Sequence, residues 1–203
     1  MEVIAVVRSF GERTQDECVA RVARQVKGVR VLRVEPFHEA VRECFRIAID
    51  SGAGWLLTVD ADVLLHHGAV AGLLKQARQM KGWQVVGLTS DKLSCCVRMA
   101  GVRMYRASVL DAVLPYVPAV VRPEGTLARL FAGWEKSEGV VGLHDHGQWR
   151  ADYHRKGAQH RAKHPAWESL AVKWRASSDL DLQAAAQGWD GVPLTIPEKV
   201  AYG

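Results

Sequence analysis

An α/β fold, a mostly parallel Rossmann-like sheet flanked by helices, is the class that this sequence predicts, and three observations lead to it. Short apolar runs rich in β-branched residues alternate with stretches of helical periodicity from Val3 to Leu88. The connections between them are only a few residues long, as in βαβ units. The third is bulk: 203 residues, 48% apolar and 24% charged, can close one core without a disulfide or metal staple.

Val3 to Val7 is consistent with a buried strand. The opening meets Arg8 after a few apolar residues and has no basic leader, so it reads as a first strand and not a signal peptide. Gly11 breaks the run. Thr14 and Glu17 then have capping-box spacing, and Cys18, Val19, Val22, Ala23 and Val26 form a helical stripe closed by Gly28. Val29 to Val34 is a second strand, ended by Pro36. Val41, Cys44, Phe45, Ala48 and Ile49 mark a second helix that stops at Gly52. Trp55 to Val59 is a third strand running into Asp60-Ala61-Asp62. A third helix carries Val70, Leu73, Leu74, Ala77 and Met80, and Trp83 to Leu88 is the next strand.

Beyond that point the pattern loosens. Cys96 to Tyr105 reads as one or two strands around Gly101, and Val109 to Tyr116 as a brief helix. Leu127, Leu130, Phe131 and Trp134 suggest a helix starting near Pro123, and Val140 to Leu143 is an apolar strand before His144. The last stretch shows little periodicity. The expected organisation is therefore one domain over residues 1–164, with an irregular C-terminal extension over 165–203 packed on or flanking it.

Charge is unevenly spread. The net of +5 comprises 19 basic and 15 acidic residues up to Leu143, 7 and 3 from His144 to Arg175, and 1 and 4 beyond. The middle segment also holds five of the eight histidines, which points to an anionic partner: a phosphorylated small molecule, nucleic acid or lipid headgroups. No run approaches the ~20 apolar residues of a membrane span. Cys18 and Cys44 fall on apolar helical faces, Cys95 and Cys96 are adjacent, and no CxxC pair exists. Buried thiols in a reducing cytoplasm are the expectation, with peripheral attachment at the inner face of a membrane through the basic segment as a variant.

The chemistry is concentrated in WLLTVDADV, an apolar strand that ends in Asp-x-Asp. The carboxyl end of a parallel strand opens into the crevice where α/β proteins bind ligands. Two carboxylates there call for a divalent cation, and hard oxygen ligands suit Mg²⁺ or Mn²⁺.

On these residues the chain, from about Val3 to His146, resembles the GT-A nucleotide-sugar glycosyltransferases of the family 2 kind. The matching features are the first strand leading to Arg8-Ser9-Phe10, the helix feeding Ala53-Gly54-Trp55 and the Asp60-Ala61-Asp62 strand, and a late histidine after Val140 to Leu143. The resemblance implies that Asp60 contacts ribose or metal and that Asp62 and His144 bind metal. His144-Asp145-His146-Gly147-Gln148-Trp149-Arg150 is also similar to a His-x-x-Gly-x-x-basic segment of glycogenin-like retaining enzymes, with Arg150 where those carry lysine. By that likeness Arg150, and Lys156 nearby, would grip the diphosphate of a nucleoside-diphosphate sugar. Arg8, His38 and Arg42 sit in the loops expected to face the nucleotide. Glu124, after Arg122-Pro123, and Asp91 are the candidates for a catalytic base. The acceptor would be a glycan, a lipid-linked sugar or a small molecule.

Three rivals compete with that reading. Haloacid-dehalogenase-type phosphatases also use DxD after a strand, but on the first strand and with a later acidic partner that this chain lacks. A nucleic-acid module would use the basic residues from Arg150 to Arg175 with Tyr153, Trp167 and Trp174; the modest net charge and the lack of a binding motif argue against it. A non-catalytic scaffold of the same fold is countered by the intact DxD and the late histidine.

Overall fold

The computed structural model describes residues 2–163 and 167–199. The chain divides into two compact units. The first runs up to Lys92 and continues from Cys96 to His146; the second comprises Leu93–Cys95 and the chain from Gly147.

The first unit is α/β. Its elements are β1 (Val3–Arg8), α1 (Gln15–Ala23), β2 (Gly28–Leu32), α2 (Phe37–Ser51), β3 (Trp55–Asp60), β4 (Val63–Leu65), α3 (Ala69–Gln79), β5 (Gln84–Asp91) and β6 (Cys96–Arg106), then α4 (Leu110–Val113), α5 (Pro123–Leu130) and β7 (Trp134–His144). The seven strands form one sheet in the order β2-β1-β3-β6-β5-β7-β4. Pairings β1/β2, β1/β3 and β5/β7 are parallel, and β3/β6, β5/β6 and β4/β7 antiparallel, so the sheet is mixed.

The strands read as continuous apolar runs because both faces of the sheet are covered. On one face Val3, Ala5, Val7, Leu57 and Val59 pack with Cys18 and Val22 of α1 and Val70, Leu73 and Ala77 of α3. On the other, Ile4, Val6 and Leu56 meet Val41, Phe45 and Ala48 of α2, Leu110 of α4 and Leu127 of α5. Cys18 and Cys44 are buried, and burial pushes both thiols up to about 12, which makes them inert apolar fillers. Cys95 and Cys96 are exposed, contrary to expectation, because Cys95 lies in the turn before β6 with φ +52° and Cys96 is the first residue of that strand.

Several local expectations change for tertiary reasons. Thr14 makes no side-chain cap; its hydroxyl donates to the Ala61 carbonyl at 2.8 Å and ties the start of α1 to the DxD segment. That helix ends at Ala23, and Gly28 belongs to β2. Trp134 is not helical. The chain turns at Gly133 (φ +95°), whose carbonyl accepts from the Trp83 amide at 2.7 Å, and a Cβ on Gly82 would stand 1.9 Å from that carbonyl oxygen. Trp134 therefore opens β7 in parallel register with Gln84. The strand β7 is also longer than the apolar run suggested, and it bulges twice against β5.

The second unit is helical and not irregular: α6 (Arg150–Lys163), α7 (Glu168–Ala176) and α8 (Leu180–Asp190). Its core is Leu93, Tyr153, Ala171, Trp174, Ala184, Ala185, Ala186 and Trp189, with the Trp174 indole donating to the Leu93 carbonyl at 2.7 Å. The periodicity was faint because α6 and α8 meet through glycine and alanine, which hydropathy patterns register weakly. A Cβ on Gly157 would lie 2.0 Å from the Ala185 carbonyl oxygen, and one on Gly188 1.8 Å from that of His154. Among the described residues, no helix is long and apolar enough to cross a membrane.

This contact yields a test. Alanine is worth about 1 kcal/mol more than glycine inside a helix, but here backbone oxygens block the added methyl. Gly157→Ala and Gly188→Ala should each destabilise the second unit by about 1–3 kcal/mol. Gly139→Ala, with open space around it, should stay within about 0.5 kcal/mol. Urea titration followed by tryptophan fluorescence measures both.

Candidate active site

Sheet register assembles the site. In the β1/β3 pair Arg8 stands beside Asp60; in the β5/β7 and β4/β7 pairs Asp91, His144 and Val63 form one row. Two polar clusters therefore arise in the first unit from strand ends.

The first cluster surrounds Arg8, whose side chain is almost wholly buried. Its Nε and Nη2 donate to Asp60 Oδ1 at 2.8 Å, and its Nη1 donates to Glu124 Oε1 at the same distance. The Phe37 ring lies 4.8 Å from the guanidinium carbon. Tyr105 donates its hydroxyl to Glu124 Oε1 at 2.7 Å, and Arg103 Nε meets Oε2 at 3.1 Å. Burial works against a charged Glu124, but Arg8, Arg103 and the Tyr105 hydroxyl outweigh it and hold the carboxyl down at about 2. Burial instead prevails at Asp60, where Arg8 only partly offsets it, and lifts that carboxyl to about 6. Gly101 (φ +66°) crosses above; a Cβ there would press on Val63 and stand 3.3 Å from Asp60 Oδ2.

The second cluster surrounds His144. Its Nδ1 lies 2.6 Å from Asp91 Oδ2 and 3.3 Å from Asp145 Oδ2, while Nε2 faces Asp62 Oδ1 at 3.6 Å. Arg98 Nε also donates to Asp91 Oδ2 at 2.6 Å. Asp145 takes a left-handed conformation (φ +61°) and its amide donates to the Asp62 carbonyl at 3.0 Å. Burial disfavours a charged imidazole, yet the carboxylates Asp62, Asp145 and Asp91 win and raise His144 to about 9.

Asp62, His144 and Asp145 each present a ligand atom within 4.8 Å of the others. Two carboxylates and an imidazole form a donor set for Mn²⁺ or another divalent ion that accepts nitrogen and oxygen. The surplus of negative charge that protonates His144 is the same demand a divalent cation would meet. The donor set fits a metal. Asp60 is outside this group and committed to Arg8, whereas Asp145, which the sequence reading passed over, is inside it.

Between the clusters a pocket of about 480 Å³ is lined by Phe37, Asp60, Arg98, Gly101, Arg103, Glu124 and His144, and also by Arg122, Arg129 and Trp134. The other nominated residues lie elsewhere. Arg42 is clamped to Glu39 at 2.7 Å and the Val117 carbonyl at 2.8 Å, and His38 sits 3.4 Å from Glu39. Neither lines the pocket. Arg150 and Lys156 belong to α6 of the second unit, where Arg150 meets Asp181 at 3.5 Å and the Pro197 carbonyl. The aromatic set proposed for base stacking is in that unit's core: Tyr153 and Trp174 are fully buried, and Trp167 stacks on His160.

No family model and no curated protein matches this chain. Solved structures do. TarS of S. aureus (residues 1–349) superposes with a TM-score of 0.51 at 10% identity, covering 93% of this chain and 70% of TarS. Its complex with UDP-GlcNAc gives 0.50 at 10% identity, with 91% and 69% covered. The 4-diphosphocytidyl-2C-methyl-D-erythritol synthase of Anaerococcus prevotii gives 0.50 at 11% identity, covering 72% of this chain and 91% of the synthase. What these proteins share with the chain is the GT-A-like α/β fold of glycosyltransferases and nucleotidyltransferases.

Proposed function

We propose that this chain is a metal-dependent glycosyltransferase that moves a sugar from a nucleoside-diphosphate sugar to an acceptor hydroxyl. The observation that carries the reading is the juxtaposition of the Asp62–His144–Asp145 donor set with a pocket that Asp60 and His144 both line. The complex of TarS with UDP-GlcNAc supplies the ligand class for a fold of this kind.

In this reading Asp62, Asp145 and His144 hold Mn²⁺ or Mg²⁺, which when bound neutralises the charge developing on the departing diphosphate. Asp91 acts through His144: its carboxylate takes the Nδ1 side and leaves Nε2 turned to Asp62. Both Arg8 contacts fall on Asp60 Oδ1, so Oδ2 is the oxygen suited to accept a ribose hydroxyl. Glu124 is an electrostatic anchor and not the base. A carboxyl held near 2, with both oxygens occupied, has little affinity for a proton. Asp91, with a fully buried side chain bound to Arg98 and His144, is equally unsuited.

A second reading, nucleotidyl transfer, is favoured by the superposition on the synthase. Product analysis separates them: nucleoside diphosphate from a nucleotide sugar for the first, pyrophosphate from a nucleoside triphosphate for the second.

Two outcomes are expected. With UDP- and GDP-sugars and Mn²⁺, the wild type should release nucleoside diphosphate, and Asp62→Asn should abolish both that release and the Mn²⁺-dependent rise in Tm. Asp91→Asn should weaken Mn²⁺ affinity about 10–100-fold without unfolding the chain. Metal-independent turnover in Asp62→Asn would overturn the assignment.

The Glu124 anchor has a pH signature. Its folded pKa, about 2, lies below the unfolded value, so its contribution is complete above about pH 4.5 and is lost as pH falls towards 2. Glu124→Gln should cost about 3 kcal/mol at pH 7. Urea titrations from pH 7 to 2 should show this gap closing as wild-type Glu124 protonates.

A further inference from the structure

The pocket continues well beyond the metal-ligating end, and its far end has its own chemistry. His144 pairs with Asp91 at one end of β5 and Trp134 with Gln84 at the other. Seven strand steps separate those pairs, about 23 Å at ~3.3 Å per residue. A diphosphate held at His144 occupies only one end of such a cleft.

The walls further along are basic and aromatic. Four arginines line the pocket: Arg98, bound to Asp91 beside His144, Arg103, bound to Glu124, and Arg122 and Arg129 on either end of α5. Its lining carboxylates are Asp60 and Glu124. Those carboxylates already face Arg8 and Arg103. Arg129, on the exposed last turn of α5, meets the Thr126 hydroxyl at 3.4 Å and, among the described residues, no carboxylate. Trp134 and Met99 line the same pocket and are 40% and 44% exposed. An exposed indole beside arginines suits a sugar ring's apolar face together with an anionic substituent.

We infer that the pocket wall carrying Arg122, Arg129 and Trp134 binds an acidic saccharide, one carrying a phosphate or a carboxylate, as the acceptor. Only the word acceptor rests on the transfer reading; the binding site stands on the pocket itself. Guanidinium groups recognise phosphate and carboxylate through the same forked geometry, so the anion is the shared feature and its source is left to experiment.

The full chain is titrated with maltotetraose, phosphorylated maltotetraose and tetragalacturonate by ligand-observed NMR. At least one acidic tetrasaccharide should bind tenfold or more tighter than maltotetraose; which one does so identifies phosphate or carboxylate as the anion. Arg129→Gln and Arg122→Gln should each lose most of that preference, and Trp134→Ala should weaken all three ligands. Arg46→Gln, an exposed change on α2 outside the pocket, should leave binding unaltered. Asp62→Asn should also keep it while losing turnover, which separates this site from the metal centre; a wild type that binds the acidic ligand but releases no nucleoside diphosphate would sink the transfer reading alone. Equal binding of neutral and acidic ligands, binding of none, or an Arg46→Gln effect as large as that of Arg129→Gln would overturn the inference.

Discussion

A guanidinium in the interior must be answered by carboxylates, and the first unit is arranged around meeting that demand for Arg8. Removing an ionic group from water costs several kcal/mol, recovered only with close, well-directed partners. Arg8 finds them on β3 and α5, elements distant in sequence, at 2.8 Å each. Its position at the end of β1 thereby fixes the Asp60 carboxylate and the start of α5 together. Glu124 is then shared with Arg103 and Tyr105 from β6. One buried cation thus ties the DxD strand to the wall of the pocket.

The His144 cluster follows the opposite arithmetic. Three carboxylates surround one imidazole, so negative charge is in excess and the ring is drawn into its protonated form. Side by side, the Arg8 cluster is electrostatically closed and the His144 cluster is open to a cation. That contrast explains why Asp60 and Asp62, two residues apart, take different work. The strand β3 ends at Asp60 and Asp62 lies in the turn before β4, so their side chains meet different neighbours, and the neighbours decide.

The strands and helices up to Leu88 were legible because their apolar runs and stripes are long and bounded by glycine or proline, and because burial on both faces leaves continuous hydrophobic signals. Asp62 and His144 were legible as chemistry because an apolar strand delivers each to its end. What was not legible depended on contacts distant in sequence. Asp145 joins the donor set through a left-handed backbone and a hydrogen bond to Asp62. Glu124 has the look of a first-turn carboxylate until Arg8 is placed against it. Trp134 continues a helical stripe on paper, but the Gly82–Gly133 approach turns it into a strand. The α6–α8 contact left hardly any trace because glycine and alanine carry little hydropathic contrast.

The bulges of β7 set a constraint of another kind. Eleven residues of β7 run alongside eight of β5, so β7 spends three extra residues before His144 draws level with Asp91. Three is odd, and side chains alternate with a period of two. Trp134 and His144, ten residues apart, nevertheless both line the pocket, so where the bulges fall decides which β7 side chains reach it. A lost or gained residue within the strand would turn the imidazole to the other side of the sheet while leaving every side chain's identity intact. Chain length between Trp134 and His144 is thus as much a part of the site as the residues that line it.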